Sequence, residues 1–176
     1  IKSSAGAQTI GGRSAARGNV FLATTGVWCD GAGGGSEIHN NRFGLYPGGG
    51  AGPAIVCGVA VDSVSARASH NTIRGAETGV LVMGTTGYSR ILGNTFSACD
   101  VAVRISSAAG SLLGNLGNAS TSDDIGNTFR RTNTTHIYND TPKPLKAEGC
   151  DFGTTSKAAI DAKITDRLDN GSLGRV

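Results

Sequence analysis

The side chains best placed for chemistry in this 176-residue chain are Glu37, His39, Arg42, His70 and Arg74. Arginine meets a carboxylate with paired hydrogen bonds, and imidazoles beside it add donors, so such a cluster would hold an anionic sugar. Catalysis is harder to write. Glycoside hydrolysis needs two acids facing one bond, yet successive strand residues point to opposite faces, so the adjacent Asp123 and Asp124 read as a solvated turn. No Ser/His/Asp or Cys/His spacing suggests a nucleophile, and neither Gly33-Gly34-Gly35 nor Gly48-Gly49-Gly50 ends in the Lys-Ser/Thr of a phosphate loop. Cys29, Cys57, Cys99 and Cys150 lack zinc-ligand spacing and read as small core residues in preference to one or two disulfides. The expectation is no catalytic residue, no metal and no cofactor.

These candidates depend on a repeat to bring them together. Asn-x-Phe/Ile recurs at Asn41, Asn71, Asn94 and Asn127, and Asn19-Val20-Phe21 precedes them, with steps of 22, 30, 23 and 33 residues. Tyr46 to Ala54 and Gly117 to Asp124 are the inserts that lengthen two of the steps. A second landmark is an alternating apolar run, read as a strand with one face buried. Its inward column is Val27, Val59, Val80, Val101 and Ile137, followed two residues later by Cys29, Val61, Val82 and Val103. A period this short leaves no room for crossover helices. The chain is therefore expected to coil so that each strand stacks in parallel on its counterpart in the next repeat, about 4.8 Å away. Asparagine tolerates the left-handed region and bonds neighbouring backbone, so the recurring asparagines are expected to form a ladder at one corner. From Ser156 as N-cap, Ile160, Ile164 and Leu168 fall at i, i+4 and i+8, which predicts a helix over 157–168 lying across the last coil as a lid.

Composition narrows the alternatives. There are 28 glycines and 4 prolines, 38% of residues are apolar and the net charge is +3. That excludes disorder and, lacking a three-residue glycine period, collagen. The charge is too small and too scattered for a nucleic-acid partner. No apolar run is long enough for a membrane span, and no signal peptide is recognisable. A start at Ile1 rather than Met reads as a piece of something longer.

Three stretches carry a resemblance. Thr9-Ile10-Gly11-Gly12 through Val20, Asn41-Arg42-Phe43-Gly44-Leu45 with the following Gly58-Val59, and Cys150-Asp151-Phe152-Gly153-Thr154-Thr155 running on to Val176 are similar to units of the bacterial right-handed parallel β-helix repeat proteins, relatives in fold of pectate lyases. Phe152 stands where that group has Trp. The resemblance implies an all-β fold, a right-handed parallel β-helix of about six to seven coils. Residues 1–155 would form the coils and 156–176 a C-terminal cap with a short helix, in one domain spanning 1–176.

The group mixes enzymes with adhesins. The expected function is therefore a non-catalytic structural or glycan-contacting module of a secreted or cell-surface protein, alongside other domains of its parent. The alternative is a polysaccharide lyase or glycoside hydrolase acting on acidic polysaccharide, although the Gly-His-Gly and Asp-Pro-His motifs of such enzymes are absent. Asn-x-Ser/Thr sequons begin at Asn118, Asn133, Asn139 and Asn170.

Overall fold

The computed structural model describes the chain apart from residues 4–6, 13, 15–17, 31–34, 63–64, 85–88, 107–115, 118–125 and 167. Asp123, Asp124 and most of the second insert lie outside the described residues.

Among the described residues, short runs of Val, Ile, Phe and Thr between Gly, Asn and Ser corners form sixteen strands in three sheets. The first contains β1 (Lys2–Ser3), β4 (Thr25–Asp30), β7 (Ile55–Asp62), β10 (Ala76–Met83), β13 (Val101–Ile105), β15 (Thr135–Asn139) and β16 (Ile164–Thr165), paired in that order. The second runs β2 (Thr9–Gly11), β5 (Ser36–His39), β8 (Ala66–Ser69) and β11 (Arg90–Leu92). The third runs β3 (Val20–Phe21), β6 (Arg42–Phe43), β9 (Thr72–Arg74), β12 (Thr95–Ser97) and β14 (Thr128–Phe129). Every strand pairing within the three sheets is parallel. From β1 to β13 the chain visits the first, second and third sheets in rotation; beyond β13 the described strands go to the third sheet with β14 and then to the first with β15 and β16.

The three inward faces share one core. From the first sheet come Val27, Val59, Val80, Val103 and Ile137, all fully buried. Val101, expected in that column, is instead half-buried and pairs with Thr78. The register slips because the connection leaving β10 is longer than the one leaving β7. Val61 is seven residues before Ala68, whereas Val82 is nine before Ile91, and Ala68 and Ile91 are partners. The third and first sheets therefore advance 23 residues in this repeat, from Ile73 to Phe96 and from Val80 to Val103. Gly58 and Gly79 occupy the bend facing the third sheet's core side chains. A Cβ on Gly79 would stand 2.5 Å from the Ala102 carbonyl oxygen and 2.9 Å from the Phe96 ring. The third sheet supplies the aromatic column, with Phe21 stacked on Phe43 at 4.8 Å, and Phe129 between Phe96 at 5.4 Å and Phe152 at 5.3 Å.

At the corner between the second and third sheets, Asn41, Asn71, Asn94 and Asn127 are buried and form the expected ladder. The backbone amide and the carboxamide of each donate to the next Oδ1, from Asn19 to Asn41 (3.0 and 3.1 Å) through to Asn94 and Asn127 (2.9 and 3.0 Å). The left-handed residues, however, are those just before the ladder: Asn40 at φ 58, His70 at φ 55 and Gly93 at φ 62. At Asn41, Asn71 and Asn94 the neighbour absorbs the turn and leaves the carboxamide to aim along the stack. The next corner repeats the device with Gly75 at φ 65 and Ala98 at φ 51. A left-handed alanine is strained, so Ala98→Gly is expected to raise stability by about 0.5 to 1 kcal/mol after the added chain entropy of glycine is subtracted. A shifted urea midpoint at constant slope checks this.

The C-terminal helix α1 (Lys157–Asp161) is capped by Ser156 as expected, but it ends after five residues and buries none. The lid over 157–168 is thus corrected. Lys163 N–H turns back to the Ile160 carbonyl at 2.9 Å, and the Lys163 carbonyl then accepts from His136 N at 2.7 Å. Ile164 becomes β16, opposite Ile137, and Leu168 is 65% exposed. A one-turn helix is weakly favoured on its own, whereas pairing satisfies the otherwise bare edge of β15. At this end the first sheet is extended by the two residues of β16.

Candidate functional site

The five sequence candidates divide between two outer faces. Arg42 is half-buried on β6 and Arg74 is exposed on β9, and both line a cleft of about 410 Å³ on the outside of the third sheet. Thr72 and Ser97 form its floor, and Leu45, Pro47, Gly48 and Gly49 form its wall. The wall is the first insert. It is closed by a Leu45–Ala51 bridge and by Tyr46 N–H donating to the Gly50 carbonyl at 2.9 Å. Arg42 Nη1 donates to the Pro47 carbonyl at 2.7 Å, tying wall to floor. Alternation explains the orientation, since Phe43 and Ile73 point into the core and their neighbours Arg42, Thr72 and Arg74 point out. Neither arginine is engaged by a carboxylate among the described residues.

Glu37, on β5, is exposed on the second sheet beside Arg67, which is beside Arg90, over a separate depression of about 160 Å³. His39 is half-buried, with Nδ1 3.4 Å from Asn40 Nδ2. His70 is an exposed corner residue in the left-handed region. Only Arg42 and Arg74 of the five therefore share the cleft.

Register also joins residues that motif reading missed. Asp30 and Asp62 are direct partners at the ends of β4 and β7, about 4.8 Å apart along the backbone. The available signal was position: each lies three residues after its column valine, Val27 or Val59. Beside them runs an outer row of Trp28, Ala60, Leu81, Arg104 and Tyr138, with the Arg104 guanidinium 5.0 Å from the Tyr138 ring centre and 3.6 Å from Asp140.

The four cysteines are free, and Cys29, Cys57 and Cys99 are buried. Burial pushes the Cys57 thiol up to about 12 and the Cys150 thiol up to about 11, against opposing hydrogen bonds from Leu81 and Asn127 respectively. Thiols held protonated are poor nucleophiles. Among the described residues no group of three or more His, Cys, Asp or Glu side chains could hold a metal ion, and no helix is long and apolar enough to cross a membrane. The sequon asparagines Asn133 and Asn139 are buried and hydrogen-bonded to backbone, while Asn170 is exposed.

His136 is the one histidine inside the fold, 1% exposed, tilted against Phe129 at 5.4 Å and Phe152 at 5.9 Å. Its Nδ1 is buried with no hydrogen-bond partner. Burial, with the Lys163 charge second, lowers its pKa to about 4. It occupies the column of Gly26, Gly58, Gly79 and Ala102, where core packing leaves no route to substrate.

In comparisons with known proteins, no family model matches this chain, and no curated protein or solved structure matches it.

Proposed function

We propose that this chain is a right-handed parallel β-helix acting as a non-catalytic structural or glycan-contacting module of a secreted or cell-surface protein, next to other domains of its parent. The coiled reading is supported by the rotation of strands among three parallel sheets and by the asparagine ladder. The glycan reading is carried by one observation: Arg42 and Arg74 lie in a cleft floored by Thr72 and Ser97 and walled by the Pro47–Gly49 turn. Guanidinium groups with adjacent hydroxyls suit a ligand that is both anionic and polyhydroxylated. Loops on a rigid scaffold are where such specificity resides.

The test is incubation of the chain with an immobilised panel of acidic and neutral polysaccharides, with product release followed in parallel. Retention on acidic members without release of shortened or unsaturated products is the expected result. Absence of retention on every member would remove the glycan reading and leave a structural one.

The second reading, an acidic-polysaccharide lyase or hydrolase, is favoured by the pairing of Asp30 with Asp62. Turnover on the same panel that disappears in Asp62→Asn would put this reading in place of the first.

A further inference from the structure

Resting on the glycan-contacting reading, we propose that the cleft on the third sheet selects the carboxylate of a uronic-acid unit in an extended acidic polysaccharide, and that the bound chain runs across the strands toward Arg130. The Arg74 side chain is exposed and hydrogen-bonded to no described residue, so its planar fork is available for paired hydrogen bonds to a carboxylate. Arg42 already donates through Nη1 to Pro47. It supplies a fixed charge to the same cleft and holds the wall at its distance from the floor. Thr72 and Ser97 offer hydroxyls that both donate and accept, as the ring hydroxyls of a sugar require.

The direction follows from register. Phe96 pairs with Phe129, and the N–H of Arg130, the exposed residue that follows β14, donates to the Phe96 carbonyl at 3.0 Å, so Arg130 continues the register next to Ser97 and, one residue after the inward Phe129, takes the outer face. Thr72, Thr95 and Thr128 form the neighbouring row. Crossing from Arg74 past Ser97 to Arg130 spans two strand spacings, roughly 10 Å, so the two guanidinium groups would meet carboxylates on alternate units of an extended pyranose chain. No aromatic side chain lies in these rows, which disfavours a nucleic-acid strand that needs stacking platforms.

The experiment is calorimetric titration of the full chain with a short galacturonic-acid oligomer, with its methyl ester, and with inorganic phosphate. The acid oligomer is expected to bind, with affinity falling as salt rises, and both the ester and phosphate to bind at least roughly tenfold more weakly. Arg74→Gln is expected to weaken the acid oligomer roughly tenfold. Arg67→Gln, on the other sheet, should leave it unchanged. Both variants alter outward-facing strand residues, and matching melting temperatures confirm that each is folded. Equal binding of acid and ester overturns carboxylate selection while leaving the glycan reading intact. Phosphate binding as tight as the oligomer overturns sugar recognition. Binding of the acid oligomer lost in Arg67→Gln but kept in Arg74→Gln would move the site to the second sheet and sink the proposal.

Discussion

Changing Asn94 to alanine is expected to destabilise the protein by about 3 to 5 kcal/mol, a loss in the range of broken buried hydrogen-bond networks. Asn94 Oδ1 accepts from both the backbone amide and the carboxamide of Asn71 at 3.0 Å. Its own carboxamide donates to the Ala68 carbonyl at 2.9 Å, the Leu92 carbonyl at 3.2 Å and Asn127 Oδ1 at 3.0 Å. Truncation leaves the Asn71 amide without that acceptor in a site closed to water, and each of the other partners loses a bond. Asn94→Asp sharpens the test. It keeps the acceptor but sets an oxygen against three oxygens, so at neutral pH it is expected to be at least as damaging as alanine. Urea unfolding monitored at constant slope gives both values. A loss under about 1 kcal/mol for alanine would mean that the corner backbone, rather than the ladder, sets the stack.

His136 is expected to make the folded state lose stability as the solution is acidified. Its ordinary pKa of 6.5 applies to the unfolded chain and about 4 to the folded one, so below pH 6.5 the unfolded chain binds the proton first. Stability from this residue is therefore full above about pH 6.5, declines as pH falls toward 4, and is flat below. At about 1.4 kcal/mol per unit the total is about 3 kcal/mol. Carboxylates titrate over part of the same window, so the measurement is a difference. His136→Phe extends the aromatic column, and subtracting its unfolding free energy from the wild-type value at each pH cancels groups common to both. The difference should move against wild type by about 3 kcal/mol between pH 6.5 and 4. A difference that stays constant across the window would show that His136 is protonated in the fold.

The repeat was legible because its most demanding positions tolerate few residue types. The ladder needs a short side chain with both a donor and an acceptor, and the bend at Gly58 and Gly79 has no room for a Cβ. Val101 misled because Gly58, Gly79 and Asp100 are evenly spaced in sequence, while the strands are aligned by their connections, whose lengths differ. Ile160, Ile164 and Leu168 misled for a related reason. A helical stripe reports local periodicity, but the bare edge of β15 offers Ile164 a non-local strand pairing. The candidate cluster was half legible. Adjacent repeats do bring Arg42 and Arg74 together, but the sharp corner at Asn40 and His70 turns Glu37 and His39 onto a different face. The Asp30–Asp62 pair was hidden by a separation of 32 residues, which only the register closes.

One rung of the ladder is different in kind. Beyond Asn127 the next position is Cys150, whose Sγ lies 3.4 Å from the Asn127 amide and itself donates to the Leu116 carbonyl at 3.1 Å. At the other rungs the corner is tied by two amide-to-oxygen bonds; here the corner contact is to a weak sulfur acceptor, and the neighbouring Asp151 supplies main-chain bonds, its N–H to the Asn127 carbonyl at 2.8 Å and its carbonyl from the Phe129 N–H at 2.7 Å. The Phe129 ring, stacked on Phe152 at 5.3 Å, adds an aromatic tie at the same level. The molecule thus changes its means of cohesion along its length: four junctions are pinned by carboxamides at the corner, whereas the segment from Cys150 onward is held by main-chain pairing at Asp151 and at β16 and by one ring stack.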